Sequence, residues 1–299
     1  MMDNSLEKII EEIISHFLNL EISSIQFNAV GGGSINETFQ TIINKKQKLF
    51  CKVNSAKKLP SLFMREKRGL QLLAEQNIIK TPAIIAFGES EGKQILILEW
   101  VDQGLRRSNL WKTFGEQLAA LHKISWSDEN RQTKFGLDEN NYMGALKQSN
   151  KPSNSWIDFF VHQRLEPQIA LALDDHLLSS GSIKQFKNLC KKMPEIFPPE
   201  PSSLLHGDLW SGNFLCDENS QPVLIDPAVY FGHRSIDLAM TTLFGGFDRI
   251  FYQSYNYHFP FPNNYQEQWD ISNLYPLLIH LNLFGKNYLS AILQTIGRF

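Results

Sequence analysis

Leu204-Leu205-His206-Gly207-Asp208-Leu209-Trp210-Ser211-Gly212-Asn213, followed by Val223-Leu224-Ile225-Asp226-Pro227, is the part of this chain that carries chemistry. The spacing is His-x-Asp-x-x-x-x-Asn, then a short hairpin, then a second Asp. Phosphoryl transfer needs little covalent help; it needs an aligned hydroxyl and cations that neutralise phosphate oxygens. A loop of this spacing presents one carboxylate, Asp208, to the acceptor hydroxyl as the catalytic residue. It turns an amide oxygen, Asn213, toward a metal ion, and the next strand end supplies a charged metal ligand, Asp226. Mg2+ prefers hard oxygen donors and keeps several waters and phosphate oxygens, so few protein ligands suffice.

Working outward to the N-terminal side, the chain reads as a small β-rich lobe. Segments 25–30 and 38–43 are expected strands, joined by the glycine turn Gly31-Gly32-Gly33-Ser34. Leu49, Cys51 and Val53 alternate with Phe50 and Lys52, the pattern of a half-buried strand. A helix is expected over 60–76, with Pro60 suited to its first turn, and strands over 83–87 and 94–100. Lys52 in mid-strand and Glu66 on that helix match the lysine–glutamate pair with which kinases steer the α/β-phosphates of ATP. The glycines beside Ser34 would let backbone N–H groups approach phosphate closely. Glu99, Trp100 and Val101 fall where a hinge backbone would hydrogen-bond adenine. Taken singly these signals are weak. A glycine triplet also suits a plain hairpin, a lone strand lysine suits a rim, and Glu66 suits a solvated helix face. Their order along the chain carries the specificity: glycine turn, lysine strand, glutamate helix, hinge, catalytic loop, metal aspartate.

Ahead of this lobe, Leu6, Ile9, Ile10, Ile13, Ile14 and Phe17 recur at helical spacing. That stripe suits a helix packed on its own domain better than a partner or membrane surface. Beyond Val101 helical patterns dominate: the stripe Leu110, Phe114, Leu118 and Leu121, then 156–173, 183–193 and 274–296. The expected class is α+β, a bilobal protein-kinase-like fold. Residues 1–101 would form the small β-rich, ATP-binding N-lobe, with a hinge near 99–103 and ATP held between the lobes. Residues 102–299 would form the larger helical C-lobe with the catalytic loop and acceptor site.

The bulk numbers exclude other classes. Of 299 residues 42% are hydrophobic, a globular share. With 29 basic and 31 acidic side chains no global field favours nucleic acid or an anionic membrane. The basic cluster Lys45, Lys46 and Lys48 reads as a solvated turn. Cys51, Cys190 and Cys216 show neither metal spacing nor a disulfide framework, which suits a reducing cytosol. The N-terminus is acidic and amphipathic rather than a secretory signal, and no apolar run of about 18 residues appears. A soluble, cytoplasmic protein is expected.

The motifs as they stand resemble those of the fructosamine kinases (ketosamine-3-kinases), relatives of the aminoglycoside phosphotransferases. The resemblance covers nearly the whole chain, from about Phe27 onward. It rests on Gly31-Gly32-Gly33-Ser34-Ile35-Asn36, on 206–213, and on Ile225-Asp226-Pro227-Ala228-Val229-Tyr230. Gly232-His233-Arg234-Ser235-Ile236-Asp237-Leu238-Ala239 and His280-Leu281-Asn282-Leu283-Phe284-Gly285 add to it, with the block Phe135 to Leu165. The resemblance implies ATP-dependent phosphorylation of O3 on the sugar of fructosamine, ribulosamine or erythrulosamine adducts, on lysine or on protein. Phosphorylation there labilises the adduct, which links the family to deglycation. Ser34 stands where many eukaryotic members carry cysteine, so no thiol switch is expected; Asn36 and Ser235 are milder departures.

Gly207 and Pro227 replace the arginine and the Phe-Gly with which protein kinases gate activity, which points to constitutive metabolite chemistry. Trp210 is placed either to pack against the acceptor or to support the loop. His206 and Asp237 read as structural support for the loop. His122, His162 and His280 read as structural. Two other readings stay open: a kinase of another small alcohol or amino-sugar, such as an aminoglycoside or choline, and a non-catalytic nucleotide-binding module.

Overall fold

The computed structural model describes residues 4–31 and 35–299. The chain divides into two compact units. One runs to Leu105 and also takes in Leu215–Asp226; the other comprises Arg106–Phe214 and Pro227–Phe299.

The first unit opens with α1 (Asn4–Leu18) and is built on β1 (Ile25–Ala29), β2 (Glu37–Ile43), β3 (Gln47–Ser55), β4 (Ile84–Ser90) and β5 (Lys93–Glu99). These strands pair antiparallel in the order β1-β2-β3-β5-β4. Helix α2 (Leu62–Glu75) lies between β3 and β4 in the chain. The apolar stripe of α1 packs on its own unit, where Leu6, Ile9, Ile10 and Ile14 join Cys51, Val53, Ile95 and Ile97 in one core. Successive strand residues alternate faces, so Lys52 projects opposite to Cys51 and Val53. Burial pushes the Cys51 thiol up to about 12, which makes it inert.

Two local expectations are adjusted. Helix α2 starts at Leu62 rather than Pro60, because Ser61 takes a left-handed φ of 59°. The buried Gln94 side chain fixes this junction, accepting from the Phe63 N–H at 3.0 Å and donating to the Leu59 carbonyl at 2.6 Å. The β2–β3 turn passes through Asn44 and Lys45 at positive φ, as a tight hairpin requires. Lys48, beyond that turn, is not simply solvated: it pairs with Asp102 at 2.7 Å.

The second unit begins with α3 (Ser108–Leu121), the hairpin β6 (Asn141–Met143) and β7 (Leu146–Gln148), and α4 (Trp156–Phe159). The helix widens to π geometry over Phe160–Leu165 and continues as α5 (Glu166–Asp174). Then come α6 (Ser180–Ile196) and β8 (Ser203–Leu205). The hairpin of β9 (Phe214–Cys216) and β10 (Pro222–Leu224) follows; its residues from Leu215 onward group with the first unit. There the Leu224 N–H donates to the Lys80 carbonyl and the Gly104 N–H to the Cys216 carbonyl. The second unit resumes with β11 (Tyr230–Gly232), which pairs antiparallel with β8. It ends with α7 (Ser235–Leu243), α8 (Arg249–His258), α9 (Tyr265–Ser272), α10 (Leu274–Phe284) and α11 (Leu289–Ile296).

Residues 274–296 are therefore not one helix. Gly285 at φ +89° ends α10, and a single 3-10 turn leads into α11. Helices α3 and α8 approach backbone to backbone at Gly115, where a Cβ would lie 2.3 Å from the Phe251 carbonyl oxygen and 2.8 Å from the Tyr255 nitrogen. Gly115→Ala must push these helices apart. It should lower stability by about 1–3 kcal/mol, read as a lower thermal midpoint; an unchanged midpoint would contradict the close approach.

Candidate active site

In the second unit the segment after β8 is shaped by one carboxylate. Asp237, on α7 and fully buried, accepts from the backbone N–H of His206 at 2.7 Å and of Gly207 at 2.9 Å. His122, at the end of α3, places Nε2 3.2 Å from Asp237 Oδ2, and its Nδ1 lies 2.9 Å from the Tyr255 hydroxyl. The carboxylate accepts from Nε2–H, which leaves Nδ1 to accept from tyrosine. Two successive N–H groups aimed at one carboxylate demand an unusual backbone, and Gly207 supplies it at φ +84°. Its missing Cβ also makes room: a side chain there would lie 2.1 Å from the Ala228 carbonyl oxygen.

Beyond this bend the Asp208 N–H donates to His206 Nδ1 at 3.2 Å. The Asn213 amide nitrogen donates to both the backbone carbonyl and Oδ2 of Asp208, each at 2.9 Å. That commits the nitrogen end of Asn213 to Asp208 and makes Oδ1 the end a metal ion would take. Trp210 packs on its own loop: a Cβ at Gly212 would fall 2.3 Å from the indole, and the ring meets Phe244 edge-on at 5.7 Å. Phe244 continues to His280 at 5.0 Å, which makes a partly exposed aromatic surface beside the loop.

In the first unit Lys52 is 2% exposed, and both oxygens of Glu66 lie 2.8 Å from its Nζ. Asp226 Oδ1 is 3.0 Å from the same nitrogen, on a side chain 43% exposed. Asp226 holds a left-handed φ of 54° directly before Pro227, a costly conformation for a non-glycine residue. Burial alone would lower the Lys52 value, but the carboxylates of Asp226 and Glu66 outweigh it and hold the ammonium above the ordinary lysine range. Burial holds the Glu66 carboxyl up at about 7; the Lys52 ammonium pulls it down and the Asp226 charge pushes it up. One buried cation thus serves two carboxylates, one buried and one exposed.

The other expected residues lie as follows. Gly32, Gly33 and Ser34 fall outside the described residues, and no described atom beyond its chain neighbours lies within 4 Å of where a Gly31 Cβ would be. Glu99 ends β5, where its backbone N–H donates to the Ala83 carbonyl and its side chain accepts from the Ala83 N–H. The Trp100 ring lies 6.3 Å from that of Phe50 and its indole N–H donates to Asp102; Val101 is buried. Among the described residues no group of three or more His, Cys, Asp or Glu side chains could hold a metal ion by itself. Hard-oxygen donors in ones and twos fit magnesium carried in with nucleotide phosphates. His122 and Tyr255 are the bracing residues that the motif does not announce, because nothing in their local spacing marks them.

A buried lysine–glutamate pair in a five-stranded antiparallel unit and an aspartate loop clamped to a helix define a kinase-type phosphotransferase. Antibiotic phosphotransferases of this kind, an amicoumacin kinase and a macrolide 2'-phosphotransferase, match at 9% and 12% identity with TM-scores of 0.58 and 0.57, which shows the fold alone. Within that class the chain belongs to the fructosamine kinase family, whose sequence profile matches residues 6–299. It is 38% identical over 271 residues, 90% of this chain and 88% of the other, to a protein of Synechocystis named a probable ketoamine kinase. It is 34% identical over 280 residues, 92% and 82% of the two chains, to the chloroplastic protein-ribulosamine 3-kinase of Arabidopsis thaliana. A crystal structure from Haemophilus somnus, provisionally named a fructosamine-3-kinase, superposes at a TM-score of 0.86 with 28% identity over 97% of this chain and 96% of that one. The chain is accordingly a ketosamine kinase, a phosphotransferase family that uses ATP.

The Glu66 environment sets a pH dependence. Its folded value near 7 lies above the ordinary 4.5. The carboxyl therefore favours the fold most below pH 4.5, and that contribution is lost as pH rises through 7. The thermal midpoint of the wild type should decline over this window more steeply than that of Glu66→Gln; parallel profiles would contradict the burial argument.

Proposed function

We propose that this chain phosphorylates O3 on the sugar of a ketoamine, with fructosamine, ribulosamine and erythrulosamine adducts of lysine or protein as the substrate class. The observation that carries the catalytic part is the Asp208 carboxylate held by the Asn213 amide at 2.9 Å, on a loop whose backbone is clamped by Asp237. A carboxylate so fixed aligns the sugar hydroxyl and accepts its proton as transfer proceeds. Lys52, held by Glu66, binds the α/β-phosphates of ATP; Gly31, Gly32, Gly33 and Ser34 are further ATP-binding residues, as are Glu99, Trp100 and Val101 for the adenine. Asn213 Oδ1 and the Asp226 carboxylate are the metal ligands. Magnesium, when bound, neutralises the charge on the phosphate oxygens. Trp210 serves two ends: one part of the indole seats on Gly212, and the rest offers an aromatic face to the sugar–amine adduct.

The names of the Synechocystis and Arabidopsis relatives support the acceptor class. A phosphate at O3 makes such adducts labile, so the biological role we propose is protein deglycation in the cytoplasm. Among the described residues no helix is long and apolar enough to cross a membrane.

A coupled ADP assay over ribulosyl-lysine, erythrulosyl-lysine, fructosyl-lysine, an aminoglycoside and choline tests the acceptor. Signal with the ketoamines is expected; signal with choline or the aminoglycoside alone would end this reading. Asp208→Asn should lower kcat by about 100-fold or more while ATP affinity holds. Asp226→Asn should weaken ATP binding measured with magnesium and leave binding without it little changed. Equal weakening under both conditions would remove Asp226 from the metal.

A further inference from the structure

Among the described residues the second unit buries a cation that no carboxylate pairs with. Arg164 sits on the π segment Phe160–Leu165 and is 0% exposed. Its guanidinium lies 4.6 Å from the Phe159 ring centre, 4.0 Å from that of Tyr230 and 5.4 Å from that of Tyr275. One terminal nitrogen donates to the carbonyls of Ser149 and Gln163, the other to Asn150 Oδ1 at 2.7 Å. Among the described residues no carboxylate pairs with it, and its Nε has no hydrogen-bond partner. Removing a guanidinium from water without a counter-charge is costly. Three aromatic faces and charge-assisted bonds to oxygen offset that cost. An apolar side chain of similar size would fill the space with no such cost, and π distortions of helices concentrate at functional positions.

The hydrogen bonds from Arg164 branch, the Asn150 amide also donating to the Glu139 carbonyl at 3.0 Å, and one branch leads toward the aspartate loop. The Asn150 amide donates to Asn141 Oδ1 at 2.9 Å, and the Gln148 amide donates to the same oxygen at 2.8 Å. The Asn141 amide then donates to the Val229 carbonyl at 2.8 Å, and that of Gln148 to the Ala228 carbonyl at 3.1 Å. The Tyr275 hydroxyl orients Gln148 by donating to Oε1 at 2.8 Å. Along Arg164, Asn150, Asn141 and the Val229 carbonyl each donor polarises the next, and Gln148 joins this branch as a second donor to the same Asn141 oxygen. The chain ends on the backbone that the aspartate loop rests upon: the Ala228 N–H donates to the His206 carbonyl at 2.8 Å, and the Ala228 carbonyl occupies the space that Gly207 leaves open.

From this geometry we propose that Arg164 is a positioning residue for phosphoryl transfer, acting through Asn150, Asn141 and Gln148 to fix Ala228 and Val229 and so the register of the loop that carries Asp208. It touches neither acceptor nor nucleotide. The inference rests on the reading of Asp208 given above, so the test includes Asp208→Asn as a separate arm.

The experiment is steady-state kinetics, with whichever acceptor of the panel the wild type phosphorylates, on Tyr275→Phe, Arg164→Lys, Arg164→Met, and Arg164→Met combined with Asn141→Leu. Arg164→Met should lower kcat per folded enzyme by about tenfold or more and Tyr275→Phe by about fivefold, the effect of one lost hydrogen bond. KM for ATP should stay within about twofold of the wild type, since the lysine–glutamate pair is untouched. Arg164→Lys keeps the charge and should recover part of the loss. The double variant should be little worse than Arg164→Met alone, because both changes cut one chain. A merely structural arginine predicts a lower thermal midpoint with kcat unchanged, and that result overturns the proposal. If Arg164→Met does not fold, Arg164→Lys, which keeps the charge but loses the second terminal nitrogen that holds Asn150, decides: wild-type kcat in that variant overturns the proposal. A wild-type-like Asp208→Asn would instead sink the role given to the loop.

Discussion

The Asp237 carboxylate is the interaction on which the second unit's chemistry depends. It is fully buried, and it takes the N–H groups of His206 and Gly207 together with His122 Nε2. Buried carboxylates are tolerated only when their lone pairs are filled, and here backbone donors do most of the filling. The bond that stabilises the carboxylate is therefore the bond that bends the loop. Everything downstream follows: the positive φ at Gly207, the close approach of Ala228, and the projection of Asp208 toward Asn213.

The first unit solves a different electrostatic problem. Lys52 is nearly inaccessible to water, yet two carboxylates share it. Glu66 is buried with it and binds through both oxygens, while Asp226 is half exposed and binds through one. That asymmetry gives the two acids different work. A buried, doubly bonded partner fixes the ammonium, and an exposed, singly bonded one in a strained backbone conformation is held less tightly. The carboxyl of Glu66 sits high for the same reason: its water is gone, and one lysine cannot fully compensate two negative neighbours.

The Arg164 network adds a third arrangement, in which a cation is held with no carboxylate paired to it among the described residues. Aromatic faces hold it, and its polarity is passed through side-chain amides to backbone carbonyls. Placed behind the aspartate loop, such a network makes the loop's register depend on residues far from it in the chain. This explains why the segment from Asn141 to Gln148 forms a small hairpin with a polar, buried interior: Asn141, Gln148 and Asn150 are all shielded from water there.

Contiguous patterns made much of this legible from the amino-acid sequence. The run from His206 to Asn213 could be read for phosphoryl transfer because the groups such chemistry calls for fall within eight positions. Strand alternation put Lys52 opposite Cys51 and Val53, and helical spacing put α1 on its own domain, since these periods are properties of the backbone itself. What only the tertiary structure decided are the partners of buried polar groups. His122 and Tyr255 behind Asp237, the grouping of Leu215–Asp226 with the first unit, the break at Gly285 and the Arg164 relay depend on contacts between distant segments. Local propensity sets which face of an element is apolar. Which distant donor fills a buried acceptor is settled only when the whole chain has packed.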